Sequence, residues 1–130
     1  MSDLNVGDAV PELQVTPDKY LPHRYAGASG DFNPIHIDDE FAKMVGLPRN
    51  ILHGLYSMGL VAKANAALAG GDPRALKRLS VQFRGMGMPE AEIVVSGTVK
   101  SVDGDRVVID TVAAQGETQI IKNAEAEIQI

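Results

Sequence analysis

The apolar positions of this chain change their period near its middle, and the change separates a helical half from a strand half. From residue 78 onward, Leu79, Val81 and Phe83 alternate with Arg78, Ser80, Gln82 and Arg84, the period-2 pattern of a half-buried strand. Residues 92–102, 106–114 and 119–130 read as three more strands. Asp103-Gly104 predicts a tight hairpin turn and Gly116 marks a second turn. The stretch Gly85-Met86-Gly87-Met88-Pro89 reads as a strand-to-strand connection, because it lacks the Lys-Ser/Thr ending of a phosphate loop and opens no helix.

The first half is different. Residues 5–11 form a turn-rich entry, and residues 12–15 alternate as a short strand. Thr16-Pro17-Asp18 predicts a helix start with Thr16 as N-cap, running to about Ala28, with Pro22 kinking the helix or delaying it. Asn33-Pro34 disfavours a regular helix, so residues 29–36 read as an irregular loop. Residues 38–45 form a short helix with acidic residues in its first turn and Gly46 as its stop. Residues 54–68 are helical and apolar nearly all round, the mark of a buried helix, which Gly70-Gly71-Asp72-Pro73 ends. Helices followed by antiparallel strands, with one buried helix, predict an α+β domain whose curved sheet wraps a central helix. An exposed sheet edge would remain, and such edges often pair in a dimer.

With 130 residues the chain fits one domain, residues 1–130, and buries roughly two-thirds of its unfolded surface. Its net charge of −5 argues against nucleic acid as a partner. Lys77, Arg78 and Arg84 form its main basic cluster. No apolar stretch is long enough to span a membrane. The start, Met1-Ser2-Asp3-Leu4, lacks the basic-then-apolar pattern of a secretion signal, which makes the cytoplasm the default. With no cysteine, thiolate catalysis, disulfides and Cys-ligated zinc are excluded.

The chemistry concentrates in Asp31-Phe32-Asn33-Pro34-Ile35-His36, which sets a carboxylate and an imidazole five positions apart on a constrained loop after Ser29-Gly30. Such a pair suits adding water to a polarised double bond, or removing it, without metal or organic cofactor. Each residue also has a structural reading: Asp31 as an Asx-turn carboxylate, His36 as a satisfied buried imidazole. His53-Gly54 opens the long helix, where unsatisfied backbone N–H groups can receive an oxygen that gains charge. The structural alternative is that Gly54 permits close packing and His53 caps or packs. Asp38-Asp39-Glu40 fits a solvated helix start better than a metal site, and Ser57 has no neighbouring base that would make it a nucleophile.

The segment from Tyr25 to Ala42, containing Ala-Ser-Gly-Asp-Phe-Asn-Pro-Ile-His, closely resembles the hydratase-2 motif of the MaoC-like hydratases and dehydratases. The resemblance extends through His53-Gly54-Leu55 and Val81-Gln82-Phe83-Arg84. It implies a hot-dog fold and reversible hydration of trans-2-enoyl thioesters to (R)-3-hydroxyacyl thioesters. It also implies Asp31 and His36 as the catalytic pair, Gly54 as the amide that binds the thioester carbonyl, and no cofactor. Asn33 and Ser29 match positions that order and present the loop. Ser57 is the serine nearest the one that some (R)-hydratases bring to the histidine, and Arg84 is a candidate for CoA phosphates or an acidic carrier protein. The implied partners are an acyl-CoA or acyl-carrier-protein thioester and a second hot-dog subunit, identical in a homodimer or related in a heterodimer. A non-catalytic acyl-thioester-binding subunit and a hot-dog thioesterase are the alternative functions.

Overall fold

The computed structural model describes residues 3–130; the sequence reading of Met1 and Ser2 lies outside them. Five antiparallel strands form one sheet: β1 (Leu13–Val15), β2 (Leu76–Phe83), β3 (Ile93–Asp103), β4 (Arg106–Gln115) and β5 (Thr118–Gln129), in the order β1-β3-β4-β5-β2. The hairpins β3-β4 and β4-β5 turn through Gly104 and Gly116, both at positive φ, as the sequence predicts. The entry segment is tied to β3 by Gly7 N–H to Val99 O and Val10 N–H to Gly97 O.

Helix α4 (Gly54–Ala66) lies across one face of the sheet and touches β2, β3, β4 and β5. Its Val61 and Ala64 pack on Val95, Val99, Ile109, Ile121 and Ala126. Strand β5 shows how the sheet bends to hold it. Ile121 faces the core, Lys122 and Asn123 are exposed, and Ala124, Ala126 and Ile128 are buried. The positive φ of Asn123 marks an extra residue that lets both sides of the irregularity present apolar groups inward. One polar pair crosses the core: Thr111 Oγ1–H donates to Asn65 Oδ1 (3.1 Å), and Asn65 Nδ2–H donates to Val61 O (2.8 Å).

Three expectations change. The first helix, α1 (Leu21–Ser29), has Tyr20 and not Thr16 as N-cap, the delayed start that Pro22 offered as one alternative; Asp18 Oδ1 accepts from Tyr20 N–H in the preceding turn, and Pro22 sits in the first helical turn, where its missing N–H costs nothing. The loop after it contains one helical turn, α2 (Pro34–Ile37), with Asn33 as N-cap and Pro34 at its start. Pro34 begins this helix where it would have broken a longer one. Helix α4 is not covered all round: Val61, Ala64 and Asn65 are buried, whereas Leu55 is 64% exposed and Gly59 is open. Helix α3 (Asp39–Met44), capped by Asp38, agrees with expectation, and β2 begins three residues before Leu79.

Candidate active site

Asp31 follows the C-cap of α1. Gly30, at φ 80°, closes the helix with its N–H on Ala26 O, and Ser29 Oγ accepts from Asp31 N–H. The Asp31 carboxylate is half-exposed. Its Oδ1 accepts from Asn33 N–H (3.2 Å), so the Asx-turn exists. Its other oxygen remains free to face His36, with Oδ2 3.9 Å from Nε2. That gap is too wide for a direct hydrogen bond and narrow enough for one oxygen to bridge. The turn uses one carboxylate oxygen and the approach to His36 the other, so the Asx-turn does not occupy the oxygen that faces the imidazole.

His36 is buried to 8%. Its Nδ1 lies 2.8 Å from Ile51 O; a carbonyl only accepts, so Nδ1 carries a proton and Nε2 is the nitrogen that faces Asp31. The backbone around it is fixed by residues 49–53. Asn50 Nδ2–H donates to His36 O (2.9 Å), Asn50 N–H donates to Asp39 Oδ1, and Ile51 N–H donates to Ile35 O. The Lys43 ammonium and that Asn50 N–H hold the Asp39 carboxyl below the usual range. Asn50, buried at 5%, escaped the sequence reading because a single polar residue in a Pro-broken segment carries no periodic signal.

Gly54 opens α4, whose N-terminus has no side-chain cap. Tyr56 N–H turns back on His53 O, whereas the N–H groups of Gly54 and Leu55, at the positive end of the helix dipole, have no intrahelical acceptor. Phe83 of β2 lies over Gly54: a Cβ there would stand 3.1 Å from the ring. Two hollows meet at Phe83 and Gly54. One, of about 310 Å³, is lined by Ser29, Asp31, Tyr25 and His53; the other, of about 160 Å³, by His36, Ser57, Leu52, Met86 and Ile121. The first is the more polar mouth, the second an apolar bore. The site thus gathers Asp31, His36, Gly54, Ser29 and Ser57, with Asn33 supporting from its N-cap position. A larger hollow, of about 680 Å³, lies on β3, β4 and β5 around Lys100, Asp110 and Lys122, and its lining includes neither Asp31 nor His36.

Arg84 is not brought to this site within the chain. Its guanidinium donates to Gln82 Oε1, which also accepts from Asn123 Nδ2, whereas Phe83 between them points to Gly54. Strand alternation therefore puts Arg84 on the face turned from α4. Phe83 itself was not singled out from sequence; its place in the strand alternation marks it only as inward-facing.

Asp31, His36 and His53 offer ligand atoms within 4.8 Å of one another. The two imidazoles stack at 3.9 Å and 21°, so their in-plane lone pairs run nearly parallel and do not converge. This arrangement suits proton handling better than chelation.

Residues 6–121 match the family "MaoC like domain". The chain is 39% identical over 103 residues to the peroxisomal enoyl-CoA hydratase 2 of Arabidopsis thaliana, covering 78% of this chain and 31% of that protein. It is 34% identical over 119 residues to the enoyl-CoA hydratase ChsH3 of Mycobacterium tuberculosis, covering 88% and 40%. It therefore spans less than half the length of these relatives. A solved MaoC-like dehydratase superposes with a TM-score of 0.92 at 33% identity, over 98% of this chain and 41% of that one. The (R)-hydratase of A. caviae shares the fold along its whole length, with a TM-score of 0.82 at 22% identity. The sequence motif, the sheet wrapped on a helix and these matches agree: the chain belongs to the MaoC-like hydratase and dehydratase family and has its hot-dog fold.

Proposed function

We propose that this protein hydrates trans-2-enoyl thioesters to (R)-3-hydroxyacyl thioesters and catalyses the reverse dehydration. The observation that carries this reading is the 3.9 Å gap between Asp31 Oδ2 and His36 Nε2, beside the uncapped start of α4. The thioester carbonyl accepts from Gly54 N–H, which stabilises the enolate-like transition state. One water sits between Asp31 and His36. Its oxygen bonds to the β-carbon while its proton passes to the Asp31 carboxylate, and His36 Nε2–H supplies the proton that bonds to the α-carbon. Transfer of the proton from Asp31 to His36 resets the pair, so atoms and charge balance. The hydrogen bond from Nδ1 to Ile51 O keeps the imidazole oriented throughout. The substrate is an acyl-CoA or acyl-carrier-protein thioester whose acyl part enters the apolar bore.

The active form in this proposal is a dimer. Strand β2 is a sheet edge, and beside it Leu55, Phe83 and Met86 are 64%, 53% and 45% exposed. An isologous homodimer is the simplest way to cover them. The ChsH1–ChsH2 complex of Mycobacterium tuberculosis has this fold and joins two different proteins, so a heterodimer is the runner-up. Crotonyl-CoA and a long-chain enoyl-CoA test the reading together. The expected result is loss of the conjugated enoyl absorbance with no free thiol and a single product enantiomer. Asp31→Asn and His36→Ala should each reduce turnover by ~10²–10⁴-fold without unfolding the protein, and the losses should not add because both act on one water. Thiol release, or near-wild-type turnover in either variant, refutes the proposal. Light scattering tests the assembly, and a fully active monomer refutes the dimer.

A further inference from the structure

His53 has no part in the mechanism above, yet it is the most enclosed polar group beside it. It is 2% exposed. Its Nε2 lies 3.0 Å from Asp31 O, and since that carbonyl can only accept, Nε2 bears the hydrogen. Its ring stacks on His36 at 3.9 Å and packs on Tyr25 at 4.6 Å. Its Nδ1 is buried without a hydrogen-bond partner. His53 as N-cap makes no side-chain bond to the helix it precedes, so the residue is oriented toward the Asp–His pair and not toward capping.

We propose that His53 is a positioning residue of this site: one edge of its imidazole fastens the main chain of Asp31, and its face sets the ring plane of His36. One rigid side chain thereby fixes both members of the pair relative to each other, across the gap a water must bridge. The inference rests on the hydratase reading for its catalytic consequence only. The ring must also carry no charge, or it would oppose the proton on His36. Burial does this by pushing the His53 imidazole below its usual range, against a smaller pull upward from the hydrogen bond to Asp31 O, while a charge on His36 pushes it down further. The ionisable groups packed around it are Asp31, His36 and Tyr25, with Tyr56 behind Tyr25. A protonated Nδ1 would be a buried donor with nothing to bond.

Two variants divide the roles. His53→Phe keeps the stacking face and loses the donor; His53→Gln keeps an amide N–H near the reach of Nε2 and loses the ring. With folding checked by circular dichroism and melting, each should lower kcat by ~10–10²-fold, the range set by misplacement of a catalytic group. KM should stay within about threefold, and the pH profile of kcat/KM should shift. Wild-type kcat in both variants, or activity that falls only with the folded fraction while the pH profile keeps its shape, overturns the proposal. Imidazole nitrogen NMR of the wild-type protein gives an answer independent of turnover. The Nε2–H tautomer of His53 should be the form present at neutral pH, as the carbonyl of Asp31 requires, and an Nδ1–H tautomer overturns it. Wild-type protein without hydratase activity would sink the functional reading alone, because the spectra still decide whether His53 anchors the pair.

Discussion

Replacing Gly54 by alanine should separate catalysis from stability. Gly54 is not at positive φ and begins a helix, so alanine is compatible with its backbone. In a helix interior alanine gains roughly 0.5–1 kcal/mol over glycine, and at a helix start the gain is at the lower end. Against this stands a new Cβ at 3.1 Å from Phe83 Cδ1 and Cε1, a few tenths of an ångström inside ordinary contact. The Phe83 ring is 53% exposed and can tilt outward, so the two effects nearly offset. Stability should change by less than ~1 kcal/mol. Catalysis has no such escape. The methyl group occupies the space over the amide where the thioester carbonyl must come within about 2.7–3.1 Å. Loss of one such donor reduces turnover by ~10²–10³-fold, and the Gly54→Ala variant should approach that. The assay is enoyl-thioester absorbance at saturating crotonyl-CoA, beside a thermal melt of the same sample. Turnover within about fivefold of wild type, with an unchanged melt, would refute the assignment of the Gly54 amide. A melt lowered by many degrees would refute the claim that Phe83 yields.

Asn65→Ala should destabilise the protein by ~1–3 kcal/mol, because it leaves the Thr111 hydroxyl buried without its acceptor. The double change Asn65→Leu with Thr111→Val should cost much less, and equal losses in denaturant titration would refute the pairing. Because His53 binds its proton less readily folded than unfolded, its contribution to stability is full above pH ~6.5 and falls as pH drops below it, by at most ~1.4 kcal/mol per unit. Between pH 7.5 and 5.5 the wild type should therefore lose more denaturant resistance than His53→Gln, and equal losses would count against the buried, uncharged imidazole. Arg84→Ala should leave KM for crotonyl-CoA within about twofold, since Arg84 bonds Gln82 on the face turned from Gly54; a rise that fades with added salt would instead reveal a phosphate contact.

The elements with a regular period were legible from sequence. Alternation located β3, β4 and β5 to within a few residues, and the apolar run located α4. Local chemistry that depends on one side chain meeting a particular backbone group was not. Asp18 bonding Tyr20 N–H moves the start of α1 by several residues, and Asn33 with Pro34 converts an apparent breaker into the first turn of α2. The Asp31–His36 pair was visible because six consecutive residues hold both members. Asn50 and Phe83 reach the site from 14 and 47 residues beyond His36, so only tertiary structure assembles them. Apolarity all round α4 predicts burial, but a helix can be apolar on a side this chain leaves open. Leu55 shows that composition alone does not tell a buried position from an exposed one.

The separation of Asp31 Oδ2 and His36 Nε2 also has a stereochemical consequence. A planar enoyl group held between two functional groups would need contact distances of about 3.5 Å on each of its faces, so the groups would stand about 7 Å apart. They stand 3.9 Å apart. In the proposed hydration both groups therefore address the same side of the double bond, and hydroxyl and hydrogen arrive on that side together. Hydration run in deuterium oxide would then place the new deuterium and the new hydroxyl syn to each other, giving one diastereomer readable from its proton couplings.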